Sequence, residues 1–96
     1  MSKISRTRGK QVELAIARFM GAKRNHYEAE DLNHLILSIE VKHRQRLPKF
    51  LVKTMAQSEA AAPKGKVAVV ILHEERQEYG KSLVVMRLEE LRGLVG

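Results

Sequence analysis

The chain predicts an α/β fold, a small mixed β-sheet flanked by helices, and three of its stretches carry that prediction. Residues 9–20 place Val12, Ala15, Ile16, Phe19 and Met20 at the spacing of one helix face. Residues 37–42 alternate, Leu37, Ile39 and Val41 against Ser38, Glu40 and Lys42, which is the period of a strand buried on one side. Residues 67–72 are continuously apolar, as a strand covered on both faces and set mid-sheet should be. Helix and strand periods that trade places along one short chain call for helices packed on a sheet.

In order along the chain, residues 1–8 are polar and basic and read as a flexible arm that orders on a partner, leaving 9–96 as a single domain. The first helix follows, with Gly21 standing where a left-handed cap belongs. Residues 23–32 carry a weak strand signal, Tyr27 being their one strong strand former. The alternating strand comes next, then a second helix from about Pro48 to Ala61 or Ala62, with Leu51, Val52, Met55, Ala56, Glu59 and Ala60 on its buried side. Pro63-Lys64-Gly65 stops it. A last strand spans 82–87, and Leu88, Leu91 and Val95 supply the contacts of a short final helix.

Net charge is +7, and all of the excess lies in residues 1–53, which hold 12 Lys/Arg against 5 Asp/Glu, while residues 54–96 hold 6 of each. A field of that sign attracts phosphate, because neutralising phosphates releases their counterions. With two Phe, two Tyr and no Trp, the chain cannot furnish an extended aromatic platform for single strands. It has no cysteine, which excludes disulfides and thiolate zinc sites. No apolar run approaches the roughly 20 residues that span a bilayer, and the basic, polar start has no apolar signal core, so the expected compartment is cytoplasmic.

Chemistry concentrates in residues 31–44. If 37–42 form a strand, Glu40 and Lys42 project together from its solvent side, and Asp31, the sole aspartate, stands upstream. Mg²⁺, for which Mn²⁺ would substitute, binds oxygen ligands, commonly one or two carboxylates with waters and substrate phosphate. Asp31 and Glu40 are such a pair, with the Val41 carbonyl between Glu40 and Lys42 as a further donor, and Lys42 is placed to orient a nucleophile or stabilise charge on phosphate. An isolated Glu-x-Lys on a strand is ordinarily a solvated ion pair. Geometry sets a condition. A turn on Asn33-His34 would put Tyr27 opposite Glu40 and leave Asp31 about four strand residues away, roughly 13 Å. A turn centred on Leu35-Ile36 lets Asp31 face Glu40, and Glu28 and Glu30 are the alternative ligands.

Asp31, eight residues, then Glu40-Val41-Lys42 resembles the signature of the PD-(D/E)xK nuclease superfamily, and residues 38–44, Ser-Ile-Glu-Val-Lys-His-Arg, are similar to its Holliday junction resolvase branch of archaeal-type and phage-encoded enzymes. The resemblance runs from about Arg8 onward and implies a restriction-endonuclease-like core. Where the branch places a proline before its aspartate, this chain has Glu30, and no catalytic serine loop stands near its start. The resemblance further implies that Glu13, in the opening Arg8-Gly9-Lys10-Gln11-Val12-Glu13, adds a metal ligand, and that Gln57 in the second helix points toward the catalytic strand. An ion pair with Lys10 or Arg18, and an exposed helix glutamine, are the plainer roles for those two. Asn25 and His26 are weaker candidates for phosphate contact. Arg6, Arg8, Lys10, Arg44, Arg46, Lys49 and Lys53 are the expected phosphate-binding residues. The implied activity is Mg²⁺-dependent cutting of branched DNA, by a homodimer because two strands must be cut symmetrically. A nicking or repair endonuclease on the same fold, and a non-catalytic DNA-binding module, are the competing expectations.

Overall fold

Helix α1 spans Lys3–Met20 in the computed structural model, which describes residues 3–24 and 32–96, with backbone alone for 3–7, 23, 24 and 33. It starts ahead of the expected Gly9, so residues 3–8 are helix rather than arm. The reason is local: lysine and arginine lose little rotamer freedom in a helix, and no proline interrupts the run. Gly9, Val12, Glu13, Ile16, Ala17 and Met20 form the covered face, with Ala17 and Met20 fully buried. Two bonds close the helix, from Gly21 N–H to the Arg18 carbonyl at 3.3 Å and from Ala22 N–H to the Ala17 carbonyl at 2.8 Å, and Gly21 has φ +66°. This is a Schellman cap, whose left-handed residue suits glycine. A Cβ there would meet nothing within 4 Å, so the strain on substitution is all backbone. Gly21→Ala is expected to cost about 1–2 kcal/mol in urea unfolding, and Gly21→Asn less.

By packing, the chain divides into Met1–Gln45 and Arg46–Gly96, where the sequence suggests one domain over 9–96. In the first unit α1 packs on β1 (Lys23–Arg24), which pairs antiparallel with β2 (Leu32–Asn33), itself antiparallel to β3 (Ser38–Ile39). Leu32 is wholly buried at the centre of this layer. Its partner across the hairpin is Ile39, and Asn33 faces Ser38, which centres the turn on Leu35–Ile36. His34 makes that loop possible: its Nδ1 accepts the backbone N–H groups of Ile36 at 3.2 Å and Leu37 at 3.3 Å. Two amides that no ladder partner reaches are thereby satisfied.

The second unit is built on α2 (Lys49–Ala61), with Pro48 as its N-cap. Its covered side is Leu51, Thr54, Met55 and Ser58, continued by Ala62 beyond its end, and Met55 is fully buried. Val52, Ala56, Glu59 and Ala60, expected inside, are exposed, so the stripe is rotated from the one that the sequence suggests. Small polar residues take the inner places, and Ser58 Oγ donates to the Val69 carbonyl at 3.2 Å. After Pro63 a turn closes from Lys66 N–H to the Pro63 carbonyl, with Gly65 at φ +87°.

β4 (Val70–Leu72) and β5 (Leu83–Val85) form an antiparallel pair with Ile71 opposite Val84. The expected mid-sheet strand is corrected here. Among the described residues β4 pairs with β5 alone, and every pairing is antiparallel, so the one mixed sheet of the sequence reading is two antiparallel sheets. α2 covers the side of Val70 and Leu72, and Ile71 on the other side is 65% exposed. A 3₁₀ turn at Tyr79–Lys81 precedes β5, and α3 (Leu88–Val95) ends the unit. Glu89 and Glu90 lie in its first turn and Arg92 in its last, charges that complement the helix dipole.

Arg87, the N-cap of α3, grips Glu59 of α2 in a fork: Nε donates to Oε2 at 3.1 Å and Nη2 to Oε1 at 2.8 Å. These hydrogen bonds hold the Glu59 carboxyl below its ordinary value and raise Arg87 above its own. Because the folded-state value of Glu59 is depressed, the stabilisation is complete above the unfolded carboxylate value and is lost as pH falls through the lowered one. Glu59→Gln should therefore melt below wild type near neutral pH, and the gap should close as pH falls through the lowered carboxyl value. The pair is about half exposed, so added salt should narrow the gap too.

Candidate functional site

The alternation read in residues 37–42 is present in three dimensions. Leu37, Ile39 and Val41 are half buried, while Ser38, Glu40 and Lys42 are exposed. On that outer face Lys42 Nζ lies 3.4 Å from Glu40 Oε1, with the two side chains 78% and 66% exposed. Residues two apart on an extended backbone share a face, and opposite charge draws the tips together. The pair leaves Glu40 Oε2 outside the contact, an oxygen of the kind a hard cation takes.

Asp31 lies outside the described residues, as do Glu28, Glu30, Asn25, His26 and the side chain of Arg6. The turn that Asp31 needs in order to face Glu40 is nonetheless the one observed, since Leu32 opposes Ile39 and the turn centres on Leu35–Ile36. Glu13 is half buried on the face of α1 that includes Val12, Ile16, Ala17 and Met20, and Arg8 and Lys10 are exposed on the same helix. Arg44 is exposed just beyond the pair. Among the described residues no three acidic, histidine or cysteine groups converge as a metal cluster, so the described carboxylates do not by themselves make a complete cation site.

Gln57 belongs to the second unit, exposed on α2. Phe50, Lys53 and Gln57 follow one another by three and four residues along one flank of that helix, away from the Leu51–Met55–Ser58 side. At its start Arg46, Leu47, Lys49, Phe50, Val52 and Lys53 line an open concavity of about 640 Å³ with apolar walls and a cationic rim. Sequence reading found the three cations but missed the apolar part. The signal was present, since Phe50 and Val52 fall on either side of Leu51 and cannot both join its stripe.

No family model matches the chain, and no curated protein or solved structure is similar to it. Fold and site therefore define a class: a small α/β protein with a basic N-terminal half and an exposed Glu40–Lys42 pair just beyond the hairpin strand β3. Among the described residues no helix is long and apolar enough to cross a membrane.

Proposed function

We propose that the protein is a Mg²⁺-dependent, structure-specific DNA endonuclease on a restriction-endonuclease-like core, a Holliday junction resolvase acting as a homodimer. The observation that carries this reading is the hairpin: its turn is centred as an Asp31–Glu40 pairing requires, and it presents Glu40 and Lys42 together on an accessible face. In this mechanism Asp31 and Glu40, with Glu13 and the Val41 carbonyl, would hold the cation. Mg²⁺, when bound, supplies Lewis-acid stabilisation of the phosphate and a more acidic water. Lys42, beside Glu40 on the same face, would turn its ammonium to the nucleophile or the scissile phosphate. Gln57 positions phosphate, and Arg6, Arg8, Lys10, Arg44, Arg46, Lys49 and Lys53 hold the backbone without reading bases.

A two-fold pair matches the symmetry of a four-way junction and brings two sites to two strands. The exposed apolar side of β4 and β5, with Ile71 and Val84, supports association. The reaction belongs to a cytoplasm, that of the host where the gene is phage-borne. A second reading, a non-catalytic DNA-binding module, is favoured by the exposure of the Glu40–Lys42 pair, since solvated pairs of this kind are common on structural surfaces.

Cleavage separates these readings: a labelled four-way junction beside a linear duplex of the same arm sequence, each with Mg²⁺. Paired symmetric cuts in the junction alone are the expected result. Equal cutting of both substrates would keep the nuclease and remove the junction preference. Tight binding without cutting in Mg²⁺ or Mn²⁺ would leave the binding module.

A further inference from the structure

The second unit holds an aromatic side chain that its own core does not use. Phe50 sits in the first turn of α2 and is 62% exposed, while Leu51, Thr54, Met55 and Ser58 make the helix's inner side. Leu47 and Val52 extend the apolar floor around it, and Arg46, Lys49 and Lys53 stand on the rim of the same concavity. None of the 18 residues from 41 to 58 is Asp or Glu, so nothing acidic within that stretch offsets those cations.

A surface of this make-up asks for an occupant that is flat and apolar in one part and anionic on both sides of it. An unpaired nucleobase with its flanking phosphates has that chemistry. A second copy of this face does not, because a two-fold contact would set Arg46, Lys49 and Lys53 against their own counterparts. We infer that the α2 start is a branch-point reader: Phe50 stacks on a base freed from its helix, and Arg46, Lys49 and Lys53 hold the adjoining phosphates. One wedge of this sort differs from a platform that tracks successive bases, and it needs one aromatic rather than several.

This rests on the DNA-nuclease reading and deepens it, because fully paired duplex offers no free base while a junction centre or a flap does. The inserted ring unstacks a base step, a cost smallest where pairing is already interrupted, so affinity for branched DNA rises relative to duplex. Electrostatic holding by the rim would by itself favour any DNA alike.

The test uses the whole chain with Ca²⁺ in place of Mg²⁺, and a four-way junction carrying 2-aminopurine beside the branch point. Wild type should raise the emission of that base on binding. Phe50→Ala and Phe50→Leu should abolish the rise and weaken junction affinity about ten-fold or more, the size of a lost base–aromatic stack, whereas Phe50→Trp should retain the affinity. Circular dichroism melts establish that each variant is folded. A rise that survives in Phe50→Leu would overturn the inference, since a branched aliphatic chain cannot stack. A change in particle mass by light scattering in Phe50→Ala would overturn it as well, by assigning the concavity to contact between copies. Junction cutting in Mg²⁺ with no emission response in wild type would remove the reader and leave the nuclease. An emission response with no cutting would keep the reader and remove the nuclease.

Discussion

Glu40→Gln is expected to lower Mg²⁺-dependent cutting of a four-way junction by at least about 10²–10³-fold, the loss seen when one charge-stabilising group is taken from a reacting centre. The substitution keeps the shape of the side chain and removes the charge that a hard cation requires. Its effect on folding should be small, because among the described residues the partner of this carboxylate is Lys42 at 3.4 Å, in a pair with 66% and 78% exposed side chains. Exposed pairs contribute about 0.2–1 kcal/mol, so the melting temperature should hardly move. Lys42→Ala should reduce cutting while sparing cation affinity, since in the proposed mechanism its ammonium acts on the nucleophile or phosphate. Calorimetry with Mg²⁺ in the absence of DNA tests that division directly. Wild-type rates in Glu40→Gln would remove the proposed assignment of chemistry to this hairpin.

Leu32→Ala should be the most destabilising single truncation in the Met1–Gln45 unit, at about 2–5 kcal/mol. Leu32 is wholly buried, lies on the central strand of β1–β2–β3 and pairs with Ile39. Cutting it back loses the transfer energy of the removed carbons and leaves a void that the neighbours fill only in part. The layer has little in reserve, since only Ala17 and Met20 join Leu32 as fully buried hydrophobics among its described residues. A consequence for the site follows, because Glu40 directly follows Ile39, the last residue of β3. Loosening the Leu32–Ile39 pair shifts the backbone that carries Glu40 and Lys42, so cutting should fall along with stability. Urea unfolding and cleavage rates measured on the same preparation would show it, and full activity in a strongly destabilised Leu32→Ala would separate the hairpin core from the site.

How much of this was readable in advance depended on the kind of signal. Alternation over residues 37–42 survives folding because a period of two is a property of extended backbone itself, and so Glu40 and Lys42 could be placed on one exposed face beforehand. Gly21 was legible for a similar reason, its left-handed φ being one that few other residues accept. The apolar run at 67–72 was not. A strand buried on both faces and one buried on a single face share the same composition here, and only the position of α2 distinguishes Val70 and Leu72 from Ile71. Charge misled at the other end, where six residues read as an arm for their polarity are the first turns of α1.

The amino-acid order by itself determined the basic first half, the alternation at 37–42 and the cap at Gly21, because charge, period and propensity act over a few neighbouring positions. Tertiary structure alone decided the centring of the hairpin turn on Leu35–Ile36, the use of Thr54 and Ser58 on the inner side of α2, and the exposure of Phe50. Each of those depends on what packs against a segment from elsewhere in the chain. The turn is the clearest case: its apolar residues argue against a loop, and what outweighs them is Leu32 buried against Ile39, together with two backbone amides satisfied by the ring of His34.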